Sequence, residues 1–128
     1  MTLFAIFSAL LLAFATAAPV QPVELLAWSP TILCPTRFTM WPQGSTQTVT
    51  WATNNIPDEK KNSTGLLLFG FMANDSENLD IQHPLAVEFP ITDGMVTITV
   101  PENATVRNNA IVVLFGDSGN ASPQFAIV

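Results

Sequence analysis

The chain has 128 residues, of which 48% are hydrophobic, and it carries a formal net charge of −6. That length provides one domain with a single modest core. The four basic residues form no patch along the sequence, which argues against nucleic acid and anionic lipid headgroups as partners, because phosphate neutralisation supplies most of such affinity.

The N-terminus predicts a secretory signal peptide. Leu3–Phe14 is almost wholly apolar, and Ala15–Ala17 places small residues at the two specificity positions of a signal peptidase site. A membrane anchor would need about 20 apolar residues, and Pro19 interrupts the run too early. We therefore expect a cleaved signal over 1–17, a secreted domain over 18–128, and no membrane association after the signal is removed.

A single cysteine, Cys34, follows in the first part of the mature chain. No internal disulfide is possible, so the core alone must hold the fold. Flanking Ile32 and Leu33 favour a small buried side chain in a strand. An intermolecular disulfide or a reactive thiol is the alternative in an oxidising compartment, and the oligomeric state is left open.

The first half of the mature chain predicts edge strands. Val23–Trp28 and Thr31–Cys34 are short apolar stretches separated by prolines, which sheets tolerate only at edges and strand starts. Trp41–Gly44 predicts a turn. In the strand that follows, Ser45–Trp51, alternation turns Val49 and Trp51 to the core and the threonines to solvent.

Two unbroken apolar runs predict the interior of the sheet. They are Gly65–Phe71 and Ile111–Phe115, and we expect them to lie next to each other, covered on both faces. Ile111–Phe115 continues through Gly116–Asn120, a series of turn formers, into a second extended stretch over 122–128. This predicts a hairpin at the centre of a β domain.

Polar loops and shorter strands fill the remainder of the chain. Asn54–Thr64 and Ala73–Asp80 predict exposed loops, and Ala86–Phe89 a short strand. Thr92–Gly94 is typical of a tight turn, and Met95–Val100 alternates cleanly between apolar and polar residues. No segment after the signal has a useful helical period. The fold predicted is therefore all-β, an immunoglobulin-like antiparallel β-sandwich of about seven strands.

Two blocks of residues resemble a known fungal domain. The first holds Trp41, Gly44 and Thr48–Trp51, and the second runs over Ile111–Asn120 and on to Ser122, Pro123 and Phe125. Together they resemble the immunoglobulin-like N-terminal domain of the serine/threonine-rich, glycosylphosphatidylinositol-anchored family, which the yeast Kre/Knh group of cell-wall beta-1,6-glucan synthesis shares. The resemblance implies a non-catalytic module of the cell surface or wall. Since no stalk or anchor signal follows, we expect a soluble secreted glycoprotein.

Four asparagines satisfy the N-x-[ST] pattern for N-glycosylation, and all lie in predicted loops. They are Asn62, Asn74, Asn103 and Asn120. Asn120 is the weakest candidate, because Pro123 follows it and the predicted turn is tight.

Other candidate chemistry is sparse. His83 is the only histidine, which cannot build a typical zinc site without further ligands. The acidic residues of the Ala73–Asp80 loop could chelate calcium, but their spacing matches no EF-hand, so a solvated loop is favoured. The sequence therefore predicts no metal, no cofactor and no catalytic residue.

The tryptophans leave two functions open. Trp28 and Trp41 lie at predicted turns or edges, where a ring could stack on a sugar, although packing against the sandwich edge is the favoured interpretation. The first hypothesis is a non-enzymatic structural or interaction protein of the fungal wall, with a wall protein or wall polysaccharide as partner. The alternative is a carbohydrate-binding module for beta-glucan that uses these two rings.

Overall fold

The computed structural model describes residues 28–116 and 118–128. The predicted signal peptide and most of the strand predicted over Val23–Trp28 lie outside these residues, as does Asp117.

Ten strands account for the regular structure of the described residues. They are β1 (Ile32–Cys34), β2 (Met40–Trp41), β3 (Thr46–Trp51), β4 (Thr64–Ala73), β5 (Ser76–Leu79), β6 (Ala86–Pro90), β7 (Met95–Thr99), β8 (Arg107–Phe115), β9 (Gly119–Ala121) and β10 (Phe125–Ile127). Two single 3-10 turns, Asp58–Lys60 and Ile91–Asp93, are the helical segments between them. Neither turn is long and apolar enough to cross a membrane.

The strands form two sheets. The smaller has the order β1-β3-β7, and the larger the order β2-β10-β8-β4-β5, with β6 paired to β4 and β9 to β8. All pairs are antiparallel except β2 and β10, which are parallel. The predicted all-β sandwich is confirmed, with more strands than expected because several have only two or three residues. The immunoglobulin-like assignment stays a prediction.

The two apolar runs are neighbours at the centre of the larger sheet, as predicted. Strand β4 pairs with β8 from Leu66 opposite Phe115 to Phe71 opposite Ala110. Side chains on one face of this pair, including Leu67, Val112 and Leu114, are fully buried in the core. Among the described strands this ladder has the most paired residues.

The core lies between the sheets. The smaller sheet contributes Val49 and Trp51 from β3 and Ile98 from β7, all nearly inaccessible to solvent. The indole Nε1 of Trp51 donates a hydrogen bond of 2.8 Å to the carbonyl of Ile91. The alternation predicted for these two strands is therefore confirmed, and the intervening threonines face away from the core.

The segment Ala73–Asp80 is a hairpin and not the loop that its polarity predicted. Asn74 and Asp75 both have positive φ, 55° and 60°, which is the backbone of a type I′ turn, and this turn joins β4 directly to β5. The strand β5 is exposed along most of its length. A polar sequence forms a strand here because it lies at the edge of the sheet with both faces largely in water.

Candidate ligand-binding cleft

The two tryptophans proposed as sugar platforms are buried. Trp28 is 9% exposed and Trp41 is 2% exposed. The Trp41 ring packs edge to face on Phe125, with centroids 4.7 Å apart. An enclosed ring cannot offer its face to a sugar, so the ligand-binding assignment of both residues is wrong. Packing against the sandwich, the favoured interpretation, is confirmed.

A surface cleft of about 670 Å³ lies elsewhere, between the β4–β5 hairpin and the loop that leads into β8. This volume falls within the usual range of small-molecule sites, about 300–1,000 Å³. The hairpin contributes Phe69, Gly70, Phe71, Glu77, Asn78, Leu79 and Asp80, and the loop contributes Pro101, Asn103, Ala104, Thr105 and Arg107.

Close backbone approach places β5 at the cleft. A Cβ atom on Gly70 would lie 2.1 Å from the carbonyl oxygen of Asn78, a distance that no side chain can occupy. Glycine therefore allows β5 to cross tightly over β4. Phe69 packs against the core, and Phe71, two residues further along the strand, lies on the same face.

Arg107 stacks on Phe71, with its Cζ atom 3.8 Å from the ring centroid. A bulge in β8 explains this position. Phe125 lies opposite Ala110 and Ile127 lies opposite Arg107. The same stretch therefore spans three residue intervals in β8 and two in β10. The extra residue in β8 places Arg107 on the same face of the sheet as Phe71. A cation–π contact of this kind contributes about 1 kcal/mol.

Arg107 is a half-buried residue, and no carboxylate in the described part of the chain forms an ion pair with it. Stacking on a ring uses the face of the guanidinium and leaves its N–H groups, which lie in the plane, available to a ligand. Arg107 is thus a fixed source of hydrogen-bond donors in the cleft.

Acceptors line the same cleft. Glu77 and Asp80 are both exposed, and Asp80 Oδ1 lies 3.1 Å from Nδ1 of His83, which is also exposed. The apolar parts of Phe69, Leu79 and Pro101 complete the lining. Donors, acceptors and apolar surface together suit a neutral molecule rich in hydroxyl groups, because each hydroxyl can donate and accept.

The loop on the other side is held by hydrogen bonds. The side-chain amide of Gln43 donates to the carbonyl of Ala104, and the Ala104 amide donates to Pro101 at 3.1 Å. Ala104 is buried, whereas Asn103 beside it is exposed at the rim of the cleft. The loop therefore presents Asn103 from a fixed position.

The four N-glycosylation candidates are not equivalent. Asn62, Asn74 and Asn103 are exposed and lie in turns. Asn120 lies in β9, is half-buried, and donates a hydrogen bond of 2.5 Å from Nδ2 to the carbonyl of Pro30. The prediction that all four lie in loops is wrong for Asn120, because the chain pairs with β8 there instead of turning freely.

Neither the lone cysteine nor the histidine belongs to a metal site in the described residues. No group of three or more histidine, cysteine, aspartate or glutamate side chains that could hold a metal ion occurs there. Cys34 is half-buried in β1 and not enclosed as its neighbours predicted, because β1 is an edge strand.

Sequence reasoning missed Arg107 and Phe71 as site residues. Their contact depends on the register of β4 against β8 and on the bulge in β8, and neither can be read from composition or alternation. One usable signal was Asn74-Asp75, since two adjacent residues that tolerate positive φ predict a hairpin turn, and the hairpin brings Glu77 beside the cleft.

Comparison of the chain with family models, curated proteins and solved structures gave no match. The resemblance to the fungal Kre/Knh-like domain accordingly stays a prediction.

Proposed function

We propose that this chain is a secreted, non-catalytic module of the fungal cell surface or wall that binds a neutral wall polysaccharide, such as beta-glucan, in the cleft between the β4–β5 hairpin and the 101–107 loop. Carbohydrate binding is thereby assigned to the cleft and not to the buried tryptophans.

One observation carries the proposal: Arg107 is stacked on Phe71, without a carboxylate partner among the described residues, in a cleft that also holds Glu77 and Asn78. A guanidinium that already rests over a ring has less side-chain freedom to lose when a ligand binds, which lowers the entropic cost of binding. Sugar hydroxyls can accept from this group and donate to the glutamate and to the Asn78 side-chain oxygen.

The carboxylates of the cleft favour binding over hydrolysis. A glycosidase needs one carboxyl group in an apolar environment that keeps its proton at working pH, together with a second across the scissile bond. Glu77 and Asp80 are both exposed to water on an edge strand and on the segment that follows it. They are suited to accept hydrogen bonds, and we propose no reaction for them.

A wall protein is the second candidate partner, and a separate observation favours it. The segment 33–40, from β1 into β2, exposes three large apolar side chains: Leu33 is 56% exposed, Phe38 78% and Met40 66%. Contiguous exposed apolar surface is a feature of protein contact sites, and these three residues lie within eight residues of sequence. This surface would act in adhesion or assembly independently of the cleft.

The polysaccharide proposal is tested with the full chain, produced in a host that attaches no N-glycans and incubated with insoluble beta-glucan and with chitin. Arg107→Ala should lower retention on the bound polysaccharide about tenfold or more, since a hydrogen bond to a charged group contributes about 1.5–3 kcal/mol. The amount of protein that sediments with the polymer is measured.

Arg37→Ala is the matched control. Arg37 also stacks on a phenylalanine, Phe38, at 4.8 Å, so this variant removes the same charge and the same kind of contact away from the cleft. Equal retention of the wild type and both variants, or no retention of any of them, would contradict binding in the cleft. Loss of retention in the Arg37 variant alone would support the exposed apolar side chains of segment 33–40 as the contact surface.

A further inference from the structure

We propose that an N-linked glycan on Asn103 folds into the cleft of its own domain and keeps free polysaccharide out of it. The inference rests on the secretory part of the proposed function, because the sugar is added in that pathway. It makes the cleft a site that is closed by modification and open without it.

The position of Asn103 carries the inference. Asn103 begins the sequon Asn103-Ala104-Thr105, and all three residues line the cleft. Asn103 is exposed, so its side-chain amide is accessible for modification. The buried Ala104 and its hydrogen bonds to Gln43 and Pro101 hold the loop in place. The first sugar is therefore attached at a fixed position on the rim of the cleft.

The modification is an ordinary group transfer. The Nδ2 atom of Asn103 attacks the anomeric carbon of a lipid-diphosphate-linked oligosaccharide, a C–N bond forms, the C–O bond to the diphosphate breaks, and the amide loses one proton. The lipid diphosphate leaves. The product begins with N-acetylglucosamine, whose hydroxyls and acetamide suit the donors of Arg107 and the acceptors of Glu77 and Asn78.

Covalent attachment of the glycan raises the fraction of molecules in which a sugar occupies the cleft. A ligand joined to its site by a short flexible linker has an effective concentration in the millimolar range. A sugar contact with a dissociation constant of about 1 mM or tighter is therefore at least half formed. A free polysaccharide end must exceed that concentration or bind more tightly to displace the tethered glycan.

The chain offers a natural control in Asn62. It is equally exposed and begins an equally valid sequon, but it precedes the start of β4 at Thr64, while the cleft lies at the other end of that strand around Phe71. The seven strand steps from Thr64 to Phe71 cover about 23 Å. A glycan on Asn62 should therefore leave the cleft open.

The test uses the full chain secreted from a host that attaches N-glycans, with ¹³C labelling of sugar and protein. Peptide mass spectrometry gives the occupancy of Asn62 and Asn103. We expect nuclear Overhauser contacts between the first N-acetylglucosamine of Asn103 and the rings of Phe69 or Phe71, and their loss in Arg107→Ala. Asn103→Gln should increase retention on beta-glucan several-fold, whereas Asn62→Gln should not change it.

The outcomes separate the two proposals. A glycan on Asn103 without ring contacts, or a glycan on Asn62 with none on Asn103, overturns this inference and leaves cleft binding standing. Ring contacts in a protein that binds no polysaccharide even as Asn103→Gln support the inference and overturn the polysaccharide proposal. No glycan at Asn103 overturns this inference, and failure of the full chain to be secreted from that host overturns the secretory assignment.

Discussion

Asn120 connects two parts of the molecule through one side chain. Its amide on β9 donates to the carbonyl of Pro30, just before β1, across 90 residues of sequence. It begins an Asn-x-Ser sequon, and the exposed sequons satisfy the same N-x-[ST] rule. The sequon shows only that the glycosylating enzyme could recognise the extended chain. It does not show whether the asparagine amide makes a hydrogen bond in the folded protein.

We expect Asn120 to carry no glycan in the folded, secreted protein, and Asn120→Ala to lower the free energy of unfolding by about 1–2 kcal/mol, because the carbonyl of Pro30 loses its donor in a part-buried position. Chemical denaturation of unglycosylated protein measures this change. Asn62→Ala, at an exposed sequon, should change stability by less than about 0.5 kcal/mol. Equal effects of the two variants would contradict a structural role for the Asn120 amide.

The β4–β5 hairpin determines whether the cleft exists. One side of the cleft is built from its two strands, and their crossing depends on the missing side chain of Gly70. The hairpin is otherwise held by its turn at Asn74-Asp75 and by an exposed edge ladder. Its geometry is therefore sensitive to a single added methyl group.

Gly70→Ala should lower the free energy of unfolding by about 2–3 kcal/mol, because the new Cβ would overlap a backbone carbonyl that can move only with the whole of β5. Thermal and denaturant unfolding measure the loss. Gly116→Ala is the control, since a Cβ there meets its nearest atoms at 3.4 Å, an ordinary contact. If Gly70→Ala is no more destabilising than Gly116→Ala, the close crossing of β4 and β5 is wrong.

The elements that could be predicted from the sequence are those with strong patterns. The apolar runs of β4 and β8 and the alternation of β3 and β7 gave the right strands and the right faces. The strand β5 was missed because an edge strand with both faces in water needs no apolar pattern. The cleft was missed with it, since Arg107 reaches Phe71 only through a register shift.

The whole molecule is acidic, with four basic residues against ten acidic ones. Such a charge favours solubility and disfavours polyanions, but it offers no attraction to a neutral polymer. In the proposed polysaccharide complex, affinity must therefore come from short-range hydrogen bonds and apolar contact.

Retention on beta-glucan should therefore change little between low salt and about 1 M sodium chloride, where the Debye length falls to about 3 Å. Sedimentation with the polymer at both salt concentrations measures this. A wild-type protein that leaves the polymer at high salt would contradict binding through short-range hydrogen bonds and apolar contact. A polycation such as lysozyme, assayed on an anionic polymer in parallel, shows what a salt-sensitive interaction gives under the same conditions.

The parallel pairing of β2 with β10 has a mechanical consequence. Backbone hydrogen bonds of 2.9–3.1 Å join Thr39 to Ala126, Trp41 to Val128, and Val128 to Gln43. Because the two strands run in the same direction, tension that pulls β2 toward its beginning and β10 toward its end slides one strand along the other. Those bonds are then loaded together in shear instead of being peeled apart one at a time, which gives this edge more resistance to stretching than its two and three residues suggest.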